Sequence, residues 1–447
     1  MDKKIKLAHN FYNTGFPYSN NILKLSDIYE HSLLEPRGPS HKVNPIHSML
    51  IMDTLGDFER VPLFQIKDKE LFVYEITTRT CADNIVDYTI LDGPLLKFVL
   101  DNVVLSDFVL DQVRNKNGYI LLEWASESYV DEVDLDIIYN FFNKINIPMN
   151  KVIYLTGSNN AEEIHLKYCK KKLIRNRLLI AHFEYYEWLS SYNLQLLEKN
   201  LDNNTKFDNI KKTFLCFNNK FRHARADIYT LFYKYDLLKN SYFSMFNKCT
   251  HYNGTWAEYY EIQNDPCSYR TAILEEVNIT PADIEYLNSI LPIRIDDTES
   301  EIERIVLIPE KNSLFKKSLI SVITETNCID KNIFHTEKTF KAIANKHPFI
   351  IVAPSQTLAS LRKMGYKTFS DYFDESYDEE EHVGKRILKV AKLCKEIDSW
   401  SIKEKEDFYN KSKAITEHNF NVLKYIYPTV PRYDFWTKFI NNIRPLT

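Results

Sequence analysis

Phe334-His335-Thr336-Glu337-Lys338-Thr339-Phe340-Lys341-Ala342 sets an acid and a base side by side just after a threonine. A threonine before such a run reads as a helix cap, so the helix is expected to begin near Thr336. Glu337 and Lys338 then stand in its first turn, beside backbone N–H groups that have no partner inside the helix. That is a place for an anion such as the diphosphate of a nucleotide sugar. The plain alternative is a capping threonine that Glu337 merely follows. Pro348 and the apolar run Phe349-Ile350-Ile351-Val352-Ala353 come next and read as a buried parallel strand.

A second cluster is Asn218-Asn219-Lys220-Phe221-Arg222-His223-Ala224-Arg225, directly after the strand-like Lys212-Thr213-Phe214-Leu215-Cys216-Phe217. Strand ends in an open α/β sheet face the ligand crevice. Arg225 falls in the first turn of the next helix, and a guanidinium suits two-pronged recognition of a diphosphate. Arg222 is a second candidate, and Asn218 is better suited to ordering the loop. A solvated basic turn is the alternative.

Were such a ligand to react with a hydroxyl, a base would be needed for the hydroxyl proton. Glu123 and Glu127 flank the end of the strand Gly118-Tyr119-Ile120-Leu121-Leu122-Glu123-Trp124 and are the leading carboxylates. Glu184 and His9 are further candidates, and each of the four reads equally as a surface charge or a cap. Metal ligands are not expected. The acidic run Asp374-Glu375-Ser376-Tyr377-Asp378-Glu379-Glu380-Glu381 lacks the alternation and the glycine of a calcium loop. Asp134 and Asp136 fall within a helix candidate, and Asp296-Asp297 in a polar loop. Lys170, Lys171, Lys172, Arg175 and Arg177 place five positive charges in eight residues. Nucleic-acid phosphates and a solvated helix end are both readings of that cluster.

These residues need a scaffold of alternating strands and helices, and the chain supplies one. Strand-like runs at Ile5–His9, Gly118–Trp124, 151–155 and 178–183 alternate with helical stretches at 133–144 and 161–175. That alternation predicts a parallel sheet covered on both faces. Pro62–Phe64 and Leu71–Tyr74 are short strand-like pieces that could form a hairpin. A polar stretch at 202–206 marks the expected boundary, with residues 1–205 as the first domain and 206–425 as the second. A tail, 426–447, would cross back to the first. Helices at 222–237, 384–396 and 404–423, with strands at 305–308 and 319–324, complete the second domain.

With 447 residues, 44% hydrophobic and 26% charged, the chain has the composition of a globular protein of two domains or more. Its formal charge of -4 excludes a strong global basic field. Only 9 glycines are present, so phosphate binding is expected from helix ends and side chains rather than glycine-rich loops. The 7 cysteines are scattered with no paired-ligand spacing and read as free thiols of a reducing compartment. The N-terminus has no signal-like apolar stretch, and no run reaches membrane-spanning length. The expected location is the cytoplasm of a bacterium or of an infected host cell.

Glu325-Thr326-Asn327, a short loop, Phe334-x-Thr336-Glu337-Lys338 and a helix leading to Pro348 resemble the donor-binding segment of the alpha-1,3-fucosyltransferases. Those are inverting enzymes of the two-domain GT-B kind, with two Rossmann-like domains facing a cleft. The continuation through Leu358–Phe369 and Phe373–Asp378 is more similar to phage and large-virus proteins of the same superfamily. The likeness covers about residues 213–240 and 320–420. It implies that Arg225 contacts the donor phosphates, Lys338 neutralises the diphosphate and Glu337 holds donor hydroxyls. It also implies a donor-site role for Glu325, although Thr326 stands between it and Asn327, a departure from the family's Glu-Asn pair. The implied activity is inverting transfer from a nucleoside-diphosphate sugar, with no tightly bound cofactor. The acceptor would be a hydroxyl of a glycan, a lipid-linked sugar or a small molecule. Two alternatives stand beside it: modification of a hydroxymethylated pyrimidine in phage or viral DNA, and a non-catalytic glycan- or nucleotide-binding protein.

Overall fold

A computed structural model describes residues 5–9, 58–62, 66–77, 95–103, 105–125, 130–197, 206–218, 222–245, 269–295, 314–329 and 331–426. The chain divides into two compact units, the first ending at Phe183 and the second beginning at Glu184.

The first unit is built on six strands: β1 (Ile5–His9), β2 (Phe58–Pro62), β3 (Phe72–Thr77), β4 (Gly118–Trp124), β5 (Val152–Thr156) and β6 (Leu179–His182). Their order is β2-β1-β3-β4-β5-β6, and every neighbouring pair is parallel. The expected hairpin is therefore absent: β2 and β3 lie on opposite sides of β1. Short apolar alternation identifies a strand but carries nothing about its partner. The helices are α1 (Leu95–Asn102), α2 (Asp107–Asn115), α3 (Glu132–Lys144) and α4 (Ala161–Lys171). All seven residues of β4 are buried, as a strand covered on both faces must be. Leu122 and Trp124 share a core with Tyr154 of β5 and with Leu135, Ile138 and Phe142 of α3.

The second unit has four parallel strands, β7 (Lys212–Cys216), β8 (Ser241–Phe243), β9 (Ser318–Thr324) and β10 (Phe349–Val352), in the order β10-β9-β7-β8. Its helices are α5 (Tyr185–Leu197), α6 (His223–Lys234), α7 (Thr271–Leu274), α8 (Pro281–Ser289), α9 (Glu337–Ala344), α10 (Thr357–Lys363), α11 (Val383–Ser399) and α12 (Ile402–Lys424). Both units are thus Rossmann-like, each a parallel sheet with helical connections.

The boundary expected near residue 205 falls instead before α5. That helix packs on α9 and α12. The Tyr366 hydroxyl donates to Glu187 at 2.7 Å, and Ser191 Oγ reaches the Lys424 carbonyl at 3.4 Å. A polar stretch in sequence marks exposure, whereas a boundary is set by where buried contacts end. The expected crossing tail lies, from residue 427 on, outside the described residues, as does the strand expected at 305–308.

The long helices α11 and α12 stay with the second unit. Ser401 and Glu404 close a capping box at the start of α12, as Thr280 and Asp283 do for α8. In the first turn of α11, Gly384 meets another segment so closely that a Cβ there would lie 1.9 Å from the Tyr269 carbonyl oxygen.

Candidate functional site

In the second sheet the chain runs from β7 outward to β8 and returns to place β9 on the other side of β7. That reversal makes the carboxyl ends of β7 and β9 the switch point, where open α/β sheets hold ligands. Asn218 follows β7, and Glu325 follows β9.

Asn218 ties strand ends together. Its Oδ1 accepts from the Thr324 hydroxyl of β9, its Nδ2 donates to Cys216 Sγ at 3.2 Å, and its backbone N–H donates to Ser244 Oγ at 3.0 Å. It is fully buried and orders the loop, in the role expected for it rather than as a ligand contact. Glu325 is also fully buried. Oε1 accepts from the Thr336 N–H at 3.1 Å and the Thr339 hydroxyl at 2.6 Å, while Oε2 accepts from the Thr336 hydroxyl at 2.5 Å and the Thr326 N–H at 3.3 Å. Four donors fill an ionised carboxylate. Glu325 therefore fastens the start of α9 to the end of β9, and this use of it was not visible in the sequence.

Thr336 is the N-cap of α9, its hydroxyl accepting from the Lys338 N–H at 3.4 Å. The Lys338 ammonium donates to Thr326 Oγ1 at 2.9 Å, Thr336 Oγ1 at 3.0 Å and Glu337 Oε1 at 2.9 Å. Burial favours the protonated form of Glu337, but the Lys338 charge and hydrogen bond, with its own backbone N–H and the Thr336 hydroxyl, outweigh it and hold the carboxyl below its usual range. α9 itself is anchored by Phe340 and Ile343, both in the core. Each contributes about 2–3 kcal/mol by burial.

Thr326 is held from a second direction. The half-buried Arg222, N-cap of α6, donates from its guanidinium to the Thr326 carbonyl at 3.1 Å. Arg225, one turn further into α6, is buried. Burial pushes its pKa down to about 10, the neighbouring Arg222 adds to the fall, and Glu337 and Glu325 oppose it. It stays charged at neutral pH. Among the described residues the start of α6 has no side-chain cap from Arg222. Arg222, Arg225, Glu325, Glu337 and Lys338 are thus brought together.

A further arginine, Arg386 of α11, ties the surrounding loops. It donates to the carbonyls of Ala353 at 2.7 Å, Glu380 at 2.6 Å and Cys328 at 3.0 Å. Nothing in its sequence surroundings marks it.

Of the base candidates, His9 and Glu123 belong to the first unit and Glu184 to the second. Glu123 is buried on β4, and its Oε1 accepts from the Ala125 N–H at 2.9 Å. Glu127 lies outside the described residues. Glu184 is buried at the start of the second unit. His9 ends β1.

The acidic run at 374–381 is used for local structure. Asp378 accepts from the N–H groups of Leu358 and Ala359 at 2.9 and 3.1 Å and so caps α10. Glu375 accepts from the Thr368 hydroxyl and the Phe369 N–H, both at 2.7 Å. Among the described residues no three His, Cys, Asp or Glu side chains converge as metal ligands would. The basic cluster of α4 is partly answered by α3: Lys171 pairs with Glu132 at 2.7 Å and Lys172 with Asp136 at 3.0 Å. No described helix is long and apolar enough to cross a membrane.

No family model and no curated protein matches the chain. Among the solved structures that resemble it distantly are two trehalose-phosphate synthases. One is an α,α-trehalose-phosphate synthase (UDP-forming) from Burkholderia vietnamiensis, at 10% identity and a TM-score of 0.39. The other is an α,α-trehalose 6-phosphate synthase from Burkholderia multivorans, at 9% identity and a TM-score of 0.38. Each alignment covers 90% of this chain and 75% of the other. So loose a superposition carries no weight for substrate or mechanism. The fold stands on the strand orders of the two sheets.

Proposed function

We propose that this chain is a glycosyltransferase of the GT-B kind that takes its sugar from a nucleoside-diphosphate sugar. The observation that carries the reading is the gathering of Arg222, Arg225 and Lys338 at the carboxyl ends of β7 and β9.

The chemistry needs such a site. In inverting transfer an acceptor hydroxyl oxygen forms a bond to the anomeric carbon. The bond from that carbon to the diphosphate oxygen breaks, and the electron pair leaves with the diphosphate. The hydroxyl proton passes to a base. Negative charge grows on the leaving group, and fixed cations that meet it lower the barrier. Arg222, Arg225 and Lys338 supply those cations, and Glu337 is the group suited to a donor hydroxyl. Glu325 and Asn218 act one step behind them, as positioning residues. A non-DNA hydroxyl acceptor is preferred over hydroxymethylated DNA, because Lys171 and Lys172 are already paired within the unit.

Calorimetry with UDP, GDP and ADP tests the donor site. One of them should bind the wild type, and Lys338→Ala should weaken that binding about tenfold or more, equivalent to about 1.4 kcal/mol. Equal affinity in a folded variant would remove Lys338 from the site. Radiolabelled nucleotide sugars of the base that binds then read transfer directly.

A further inference from the structure

An ammonium group has three N–H donors. All three on Lys338 have acceptors: Thr326 Oγ1, Thr336 Oγ1 and Glu337 Oε1. A phosphate oxygen therefore cannot simply add itself to Lys338; one of the three must yield.

Two of the three are fixed. The Thr336 hydroxyl donates to Glu325 while it accepts from Lys338, and its backbone N–H is held by the same carboxylate. Thr326 is held through its N–H by Glu325 and through its carbonyl by Arg222. The third partner differs. The Glu337 carboxylate, also favoured by the Thr336 hydroxyl and its own backbone N–H, meets Lys338 where both side chains are 22% exposed. Its charge is also felt at Arg225. The acceptor least fixed by its neighbours is thus an anion, paired with Lys338 and felt by Arg225.

We propose that Glu337 is a built-in stand-in for the ligand's phosphate, occupying Lys338 in the unliganded chain and giving way by anion exchange when a nucleoside diphosphate binds. This rests on the donor-site reading above. It adds a selection rule. The displaced carboxylate needs a new donor, and a ligand with hydroxyls next to its diphosphate supplies one. A bare inorganic anion displaces Glu337 and offers nothing in return, so it is disfavoured. Glu337 then decides between nucleotide and inorganic anion as well as contacting the donor.

The test compares the wild type with Glu337→Gln, which keeps the shape and removes the charge, using inorganic pyrophosphate and UDP, GDP and ADP as calorimetric probes. Pyrophosphate should bind Glu337→Gln about tenfold more tightly than the wild type. The preference for the best nucleoside diphosphate over pyrophosphate should fall by a similar factor. Glu337→Ala carries the same expectation and serves if the glutamine variant melts early. Nucleoside diphosphate binding that persists, with pyrophosphate affinity unchanged or weaker in both variants, overturns the stand-in and leaves the donor site intact. A wild type that binds no nucleoside diphosphate overturns the donor site and the stand-in with it.

Discussion

The starts of α3 and α9 are made of similar parts and treat charge in opposite ways. Each follows a strand of a parallel sheet, and each has a capping side chain and an acid within its first turn. In α9 the acid is Glu337, paired with Lys338 at 2.9 Å and held ionised. In α3 the acid is Asp134, 8% exposed. Its backbone N–H donates to Asp131 at 2.8 Å, but its carboxyl does not return the bond that would complete a capping box, as Asp283 and Glu404 do elsewhere. The other acids of α3, Glu132 and Asp136, have lysine partners. Burial first, and then the charge of Asp131, pushes the Asp134 carboxyl up to about 7. A carboxyl at the edge of a parallel sheet thus keeps its proton or loses it according to whether a cation was built beside it. The proposed donor site at the edge of the second sheet keeps its acid ionised beside a cation, and the Asp134 site of the first holds a proton.

The strongest way to break the contrast is to remove the foundation of the α9 start. Glu325→Ala leaves Thr336, Thr339 and Thr326 donors unanswered in the interior. It should cost about 3 kcal/mol or more in denaturant unfolding and abolish nucleoside diphosphate binding. A variant as stable as the wild type would show that Glu325 is not the fastener.

Asp134→Asn should act in the opposite direction. In the unfolded chain Asp134 loses its proton near pH 4, whereas in the folded chain it keeps it up to about pH 7. The folded state therefore binds the extra proton over that window, and stability falls as pH rises through it. The asparagine variant lacks this loss. It should match the wild type near pH 4 and be more stable by about 2–4 kcal/mol at pH 8. Parallel unfolding curves across the whole range would contradict the contrast drawn at α3.

Arg222→Ala sharpens the α9 side with a smaller effect. It removes one grip on Thr326 and one cation, and should weaken nucleoside diphosphate binding about tenfold while unfolding stability changes by less than about 1 kcal/mol. The smallest effect expected is none: transfer should continue in excess chelator, since side-chain cations meet the leaving charge. Loss of turnover restored by manganese or magnesium would refute this.

How much of this could be read beforehand follows from how local each signal is. The runs at 5–9, 118–124, 212–217 and 319–324 read as strands because buried parallel strands are nearly continuous in apolar residues, and each appears within a residue or two of its expected place. The helix start at Thr336 was legible because a cap is a local device. Strand β8, with three residues, carries too little pattern to stand out. Helix α5, between the strand at 178–183 and the polar stretch at 202–206, was not among the expected elements. The partners of β2 and β3 were missed because pairing is a property of the whole sheet. In the site, charged residues could be placed near one another by the strand ends that precede them. Which of them point inward could not, so Glu325 was assigned to the ligand although its four bonds face α9 and Thr326. Asp378 and Glu375, weighed as metal ligands, cap and close turns for the same reason.

Gly384 and Arg386 stand two residues apart in one helix, and together they work like a stop and a hook. The stop is the missing side chain: α11 rests against the Tyr269 carbonyl at a distance no Cβ could share. The hook is the guanidinium that catches the Cys328 and Ala353 carbonyls. How far the hook reaches depends on how closely the stop lets the helix seat. Even a methyl group at position 384 would lift α11 from its seat, and the misfit would pass to the loop after β9. Fine adjustment of the proposed donor site therefore has a handle in the seating of α11.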